Sequence, residues 1–167
     1  LNLYETVNRV PSKEASSNGA GKGIKLVASQ TIPALNCINF GRHPSNGHLM
    51  AAGTSTGDVS VLDWDSQQRT MIHNVLKTGQ RPCTSVTWSP AGGVLAASFD
   101  KLRNEFSTLV WDVTQVSDHS APHTALFRAS HEEATTCVEW IPMESDIIAV
   151  GTDSGYVRIF DLRAGKT

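Results

Sequence analysis

Three short segments of the sequence share one pattern, and this repetition constrains the fold more than any other feature. Each segment alternates small or polar residues with apolar ones and ends on an aromatic residue, which is typical of a half-buried β-strand. A turn and a second strand rich in small residues follow each of them. The three segments are LNCINF at 35–40, CTSVTW at 83–88 and TTCVEW at 135–140.

A third strand completes each unit and fixes the repeat length. Asp63, Asp112 and Asp161 lie in these third strands and are 49 residues apart in both intervals. An apolar or aromatic residue precedes each aspartate. The positions expected to be structural are Asp63, Trp88, Trp111, Asp112, His131, Trp140, Phe160 and Asp161.

Three clear strands and a fainter fourth, repeated at this length, are the WD40 signature of a β-propeller blade. We therefore expect an all-β fold, a partial WD40-type β-propeller with about three to three and a half blades of an expected seven. The fourth strands are expected near 70–76, 125–128 and 24–28. A partial propeller exposes strand edges and apolar blade faces, so we expect the natural protein to continue on both sides or to pair with a partner.

The expected organisation is one incomplete propeller over residues 1–167. Residues 1–9 would end a preceding blade, and 10–23, rich in Ser, Gly and Lys, would form a flexible loop. Residues 24–76 and 77–128 would each form a blade, and 129–167 a partial blade. Because the first residues lack an initiator Met and a signal-peptide pattern, we expect the chain to begin within a longer protein.

His131 is expected to stabilise the last blade. It lies nine residues before Trp140 and matches the His of the Gly-His dipeptide of WD repeats, with Ser130 in place of Gly. In well-formed blades this His bonds through a hydroxyl to a turn Asp, and Thr152 and Asp153 are the candidates here. The other two repeats lack the His, which indicates an atypical WD-repeat protein.

Composition and charge exclude several classes of function. The net charge of -2 and pI near 6.3 provide no basic surface for nucleic acid. The apolar stretches are too short for membrane insertion. Cys37, Cys83 and Cys137 form no C-x-x-C motif, and we expect them to be small buried hydrophobic residues in a reducing cytosol.

Catalytic, metal and cofactor motifs are not found. GAGKG at 19–23 lacks the first Gly and the Ser or Thr of a phosphate loop. Cys137 with His131 as base would need an activating environment, and core packing explains a cysteine on this strand better. The sequence thus predicts a non-enzymatic protein without a cofactor or metal site.

The second blade contains a longer inner hairpin than the others. From Ala97 to Asp112 there are 15 residues, whereas the equivalent intervals in the other two blades are 11. One interpretation is a solvated turn whose charges pair weakly. The other is an interaction loop, because recognition is often placed on loops of rigid scaffolds. The candidate loop is Lys101, Leu102, Arg103, Asn104, Glu105 and Phe106, with Leu102 and Phe106 as its anchors.

The segment RPCTSVTWSPAGGVLAASFDKLRNEFSTLVWDV at 81–113 resembles a propeller blade of the Mio proteins, also called Sea-four in fungi. In that family a DK-x-R-x-x-FS insertion likewise follows an LAA strand and precedes an L-[VI]-WD strand. The flanking segments LNLYETV and CVEW…AVGTDSGYVRIFDLR resemble its first and fourth blades. The resemblance covers most of the chain and is loose over 10–27.

The resemblance implies a scaffold subunit of the SEA complex, called GATOR in animals, which promotes amino-acid-dependent TOR signalling. It implies a cytoplasmic protein peripheral to the vacuolar or lysosomal membrane. Implied partners are Seh-type and Sec-thirteen-type propellers and sister WD-repeat subunits. The alternative is a WD-repeat reader or adaptor that binds a peptide or modified tail in a chromatin or ubiquitin pathway.

Overall fold

The computed structural model describes residues 26, 28–65, 70–77, 81–102, 105–114 and 125–165. The expected preceding blade at 1–9 and the expected loop at 10–23 lie outside these residues. The described strands are β1 (Leu35–Phe40), β2 (Leu49–Thr54), β3 (Asp58–Asp65), β4 (Thr70–Lys77), β5 (Cys83–Trp88), β6 (Val94–Leu102), β7 (Glu105–Asp112), β8 (Phe127–His131), β9 (Thr135–Trp140), β10 (Ile147–Thr152) and β11 (Val157–Asp161).

The strands form three antiparallel sheets in which sequence neighbours pair. Sheet A has the order β1-β2-β3-β4, sheet B the order β5-β6-β7-β8, and sheet C the order β9-β10-β11. Each sheet is a blade, and the first strands β1, β5 and β9 bring adjacent sheets together. This architecture confirms the expected all-β partial propeller.

Small residues in the second strands let the sheets pack closely. Ala51 and Ala52 in β2, and Ala96 and Ala97 in β6, are fully buried. Larger apolar residues on the flanking strands fill the remaining space between the sheets, as close packing requires. The alternating pattern of the sequence therefore places apolar residues on both faces of the middle sheet.

Two apolar clusters hold the three sheets together. The cluster between sheets A and B includes Val59, Leu76, Trp88, Phe99 and Trp111. The cluster between sheets B and C includes Val110, Val138, Trp140, Ile148 and Val150, with Phe160 packed against it.

The predicted fourth strands are partly confirmed. The strand expected at 70–76 is β4, Thr70–Lys77. The strand expected at 125–128 is instead β8, which begins at Phe127 and ends at His131, so it crosses the expected boundary between 128 and 129. The displacement arises because β7 already begins at Glu105 and provides pairing partners there. Phe106 of β7 pairs with His131. Near 24–28, Leu26 and Ala28 carry no strand, and the other residues lie outside the description.

The outer faces of the described sheets expose large apolar residues, as expected for a partial propeller. On β1, Leu35, Ile38 and Phe40 are 49–58% exposed. At the start and middle of β11, Val157 and Ile159 are 73% and 59% exposed. Single exposed apolar residues are common on protein surfaces. Several on one strand form an exposed apolar patch of the kind found at interaction surfaces.

The burial expected for Cys137 is wrong. Cys83 is buried and Cys37 half-buried, but Cys137 is exposed. Its strand, β9, packs on sheet B through Val138 and Trp140, which lie on the opposite face of the strand from Cys137. A cysteine on a first strand is thus buried only where another sheet covers that face.

Among the described residues, the helical content is one 3₁₀ turn, Leu162–Gly165. No helix in that part of the chain is long and apolar enough to cross a membrane.

Candidate functional site: the hairpin rim

The candidate loop lies at one end of the sheets, here called the hairpin rim. The described residues of the rim are the connections 55–57, 132–134 and 153–156, together with the strand ends 101–102 and 105–106. One backbone hydrogen bond recurs there in every sheet. In each sheet, the residue that follows the sixth residue of the second strand donates its N–H. The acceptor is the carbonyl of the residue just before the first strand. The three bonds are Ser55 N to Ala34 O at 2.8 Å, Asp100 N to Pro82 O at 2.8 Å and Asp153 N to Ala134 O at 2.9 Å.

In sheets A and C the second strand turns directly into the third, and a threonine closes the turn. Thr54 Oγ1 accepts from the Asp58 N–H at 3.0 Å and donates to the Asp58 carbonyl at 3.1 Å. Thr152 Oγ1 makes the same pair of bonds with Tyr156, at 3.2 and 3.4 Å. Gly57 adopts φ +94° in the first turn, a conformation that favours glycine. These two connections are short, closed turns.

Sheet B has Phe99 at the position of these threonines. The ring is 1% exposed and makes an edge-to-face contact with Trp111, with centroids 6.3 Å apart and planes at 84°. Phe99 pairs with Ser107, and β6 then continues to Leu102, which pairs with Glu105 after a shift of register. The buried Phe replaces the turn-closing hydroxyl, and the hairpin extends past the rim hydrogen bond.

The structure places the candidate loop at the tip of this extended hairpin. Lys101 and Leu102 end β6, and Glu105 and Phe106 begin β7; Arg103 and Asn104 lie outside the described residues. The backbone pairing of Phe106 with His131 brings the tip beside the turn that leads into β9. The sequence-predicted insertion is therefore present as an extended hairpin, and its interaction role stays a prediction.

A charged group lies in the neighbouring part of the rim. The guanidinium of Arg158 makes a two-point ion pair with the carboxylate of Glu133, with Nε 2.9 Å from Oε2 and Nη2 on Oε1. The hydrogen bonds that the guanidinium donates to this carboxylate raise the pKa of Arg158. The guanidinium carbon also lies 5.8 Å from the centre of the Tyr156 ring, within cation–π range. This side of the rim thus carries a fixed charged and aromatic surface.

Two of the three tryptophans predicted to be structural, Trp88 and Trp140, join adjacent blades by hydrogen bonds as well as by packing. Trp88 Nε1 donates to the carbonyl of Asn39 at 3.2 Å, and Trp140 Nε1 donates to that of Thr87 at 3.3 Å. Each indole thus bonds to the first strand of the preceding sheet. The acceptor is the residue just before the aromatic residue that ends that strand. The internal repeats predicted where the indoles lie, but not these hydrogen bonds.

Two of the three repeated aspartates accept hydrogen bonds from residues just after the third strand. Asp112 Oδ1 accepts from the N–H and the hydroxyl of Thr114, at 2.9 and 2.6 Å. Asp161 accepts from the N–H and guanidinium of Arg163, at 2.6–2.9 Å. These hydrogen bonds lower the pKa of Asp161 to about 2. Asp63 instead lies 3.9 Å from His48 Nε2.

The hydrogen-bond network expected for His131 stays a prediction. Its side chain lies outside the described atoms. Of the two expected partners, Thr152 bonds to the backbone of Tyr156, and the Asp153 carboxylate accepts from Ser154 at 3.2 Å. The bond from His131 to these groups stays a prediction. Within the described ranges, no cluster of three or more His, Cys, Asp or Glu residues is arranged to hold a metal ion.

Comparison with known proteins supports the Mio resemblance. The GATOR2 complex protein MIOS of Dictyostelium discoideum is 21% identical over 85% of this chain, and MIOS-A of Xenopus laevis is 24% identical over 83%. The protein transport protein sec31 of Schizosaccharomyces pombe is 28% identical over 83%. The chain spans 17%, 18% and 10% of the lengths of these relatives. No protein-family model matches the chain.

A solved structure supports the fold. The β-propeller domain of Cps50 (Swd1) from Myceliophteria thermophila superposes with a TM-score of 0.59 at 17% identity, over 80% of this chain and 36% of that one. At this identity the likeness establishes the fold alone. The chain therefore has the fold of a partial WD-repeat β-propeller, and its sequence is similar to that of MIOS proteins.

Proposed function

We propose that this Mio-like WD-repeat chain is a non-catalytic scaffold subunit of an assembly of the SEA or GATOR type, and that the tip of its extended hairpin contacts a partner. The repeats and the MIOS relatives support an interaction scaffold. Through such an assembly the protein would promote amino-acid-dependent TOR signalling at the vacuolar or lysosomal surface. Its partners would be Seh-type and Sec-thirteen-type propellers and sister WD-repeat subunits.

The observation that carries the proposal is the extension of the hairpin past the rim hydrogen bond. The base of the hairpin is fixed by the bond from Asp100 to Pro82 and by the buried ring of Phe99. Beyond this base the sequence has Lys101, Arg103 and Glu105. A fixed base reduces the conformational freedom that the hairpin as a whole loses on binding, and charged loops on rigid scaffolds are frequent recognition sites.

Affinity purification of the tagged full-length protein tests the proposal. We expect the wild-type protein to recover GATOR2-type or SEA-type subunits. Recovery of chromatin, ubiquitin or vesicle-coat proteins in their place would overturn the assignment and favour an adaptor propeller of another assembly.

A charge-reversed pair tests the loop separately. Lys101→Glu with Arg103→Glu is expected to reduce recovery of at least one subunit by about tenfold or more, since close interfacial charge pairs contribute roughly 1.5 kcal/mol or more. Arg42→Glu is the matched control, because Arg42 is an exposed charge in the β1–β2 connection at the opposite end of sheet A. Full recovery with the double variant would show that the hairpin tip is a solvated turn.

A further inference from the structure

Two thiols from neighbouring blades meet at the interface of sheets A and B. Cys37 lies in β1 and Cys83 in β5, and their Sγ atoms are 4.0 Å apart. Cys83 is fully buried, whereas Cys37 is half-buried, so one thiol of the pair is open to small reagents. Both are free cysteines.

The space that the two sulfurs occupy exists because residue 53 is glycine. A Cβ at Gly53 would lie 2.7 Å from Cys37 Sγ and 2.9 Å from Cys83 Cβ, and it would also overlap Cys83 Sγ. Next to the pair, Asn36 Nδ2 donates to the Cys83 carbonyl at 2.7 Å and holds the two strands together. The close approach of the thiols is thus built into the packing.

Cys137 is an internal comparison for this pair. It has the same place in β9 as Cys37 has in β1, and Gly151 beside it corresponds to Gly53, with a Cβ there 2.6 Å from Cys137 Sγ. Cys137 is exposed, and no second thiol adjoins it among the described residues. Equivalent strand positions therefore hold Cys37, which has a second thiol beside it, and Cys137, which has none among the described residues.

The two paired thiols differ in acidity. The hydrogen-bond contact between the two thiols lowers the pKa of Cys37, and the hydrogen bond from the Gly53 N–H acts in the same direction. The same hydrogen bond, together with burial, raises the pKa of Cys83. Because the thiolate is the reactive form and Cys37 is also the more exposed thiol, we assign Cys37 as the nucleophile of the pair.

We propose that Cys37 and Cys83 form a reversible dithiol–disulfide site, at which a hydroperoxide closes a covalent link between the first two blades. The Cys37 thiolate attacks one peroxide oxygen, the O–O bond breaks, and water leaves after protonation, which gives a sulfenic acid at Cys37. The Cys83 sulfur then attacks the Cys37 sulfur, the S–O bond breaks, and a second water leaves. Two thiols and one hydrogen peroxide thus give one disulfide and two waters.

The geometry allows this bond with local motion. A disulfide has an S–S distance of about 2.05 Å, so the two sulfurs, now 4.0 Å apart, must approach by about 2 Å. A small-molecule thiol reverses the link by thiol–disulfide exchange.

Peptide mapping of the reduced full-length protein after brief treatment with hydrogen peroxide and alkylation tests this site. Trypsin places the three cysteines in separate peptides, 26–42, 78–101 and 129–158, since the Arg81–Pro82 bond resists cleavage. We expect 26–42 to be linked to 78–101, the link to disappear with dithiothreitol, and 129–158 to be linked to neither. Peroxide that leaves Cys83 as a free thiol while it oxidises Cys37 or Cys137 would overturn the proposal.

Substitutions distinguish the roles of the two thiols. Cys83→Ala is expected to trap the Cys37 sulfenic acid, which dimedone labels, and Cys137→Ser is expected to leave the link unchanged. Should Cys83→Ala fail to fold, Cys37→Ser gives the complementary result: Cys83 stays reduced at peroxide concentrations that close the wild-type link. Oxidation of Cys83 in the Cys37→Ser variant as fast as in wild type would contradict the assigned order.

Discussion

The inner hairpin of sheet B differs from those of sheets A and C, although all three start from the same scaffold. Each sheet keeps the rim hydrogen bond, at Ser55, Asp100 and Asp153. Sheets A and C then close at once with a threonine hydroxyl, whereas sheet B buries Phe99 and continues to Leu102. The three sheets therefore share the same strand framework and rim hydrogen bond. Sheet B differs from the other two in the connection between its second and third strands.

The largest expected effect tests whether Phe99 is the base of the extended hairpin. Phe99→Ala should lower the free energy of unfolding by about 3–5 kcal/mol, because it removes a buried ring and its contact with Trp111. Urea denaturation of the full-length protein measures this change. Met143→Ala is the control, since Met143 is 95% exposed. Equal losses in the two variants would contradict the role of Phe99.

The second expected effect concerns the glycine just before the turn position. Sheets A and C have Gly53 and Gly151 beside a first-strand cysteine, whereas sheet B has Ser98 there and Ser85 in place of the cysteine. Gly53→Ala should cost about 1–3 kcal/mol, because the new Cβ overlaps both sulfurs.

Gly47→Ala is the control for this substitution. The nearest atom to a Cβ at Gly47 is the His43 carbonyl at 3.5 Å, an ordinary contact, so its effect should stay within about 0.5 kcal/mol. Thermal unfolding compares the two. A Gly53→Ala protein as stable as wild type would mean that the sulfurs move aside freely.

A smaller effect is expected from the turn-closing hydroxyl of sheet C. Thr152→Val keeps the shape and removes the two hydrogen bonds to Tyr156, which should cost about 1 kcal/mol. Thr136→Val on the exposed face of β9 serves as the control. Chemical denaturation with matched midpoints for the two variants would show that the hydroxyl does not hold the short turn.

The smallest expected effect concerns Asp161, the aspartate that ends the third strand of sheet C. Asp161 has the Arg163 guanidinium as partner, which together with the Arg163 N–H lowers its pKa to about 2. The stabilisation is complete above the ordinary aspartate pKa of about 3.9 and is lost as the pH falls through about 2. Titration by carboxyl-carbon NMR should give this value, and Arg163→Ala should raise it. An ordinary pKa in wild type would contradict the pair.

The sequence was sufficient to locate the first and third strands, because their alternation and final aromatic or acidic residues are local signals. The last strand of sheet B was misplaced because its extent depends on a partner. β8 runs to His131 only because β7 begins early, at Glu105, and offers it a ladder. A weak fourth strand is thus determined by its neighbour more than by its own residues.

The candidate site was predictable in position but not in construction. Counting residues revealed the insertion, whereas the burial of Phe99 and the rim hydrogen bonds arise from contacts between strands that sequence spacing does not encode. The exposure of Cys137 was missed for a related reason. Local sequence places Cys37 and Cys137 in equivalent positions, and only the presence or absence of a facing sheet distinguishes them.

Removal of the insertion is the measurement that tests the central claim most directly. A full-length variant lacking the four residues 101–104 would give sheet B an inner hairpin as long as those of sheets A and C. We predict that it keeps the wild-type melting temperature within a few degrees and loses at least one subunit in affinity purification. Recovery of every subunit at wild-type levels by a folded variant would contradict the hairpin as an interaction site.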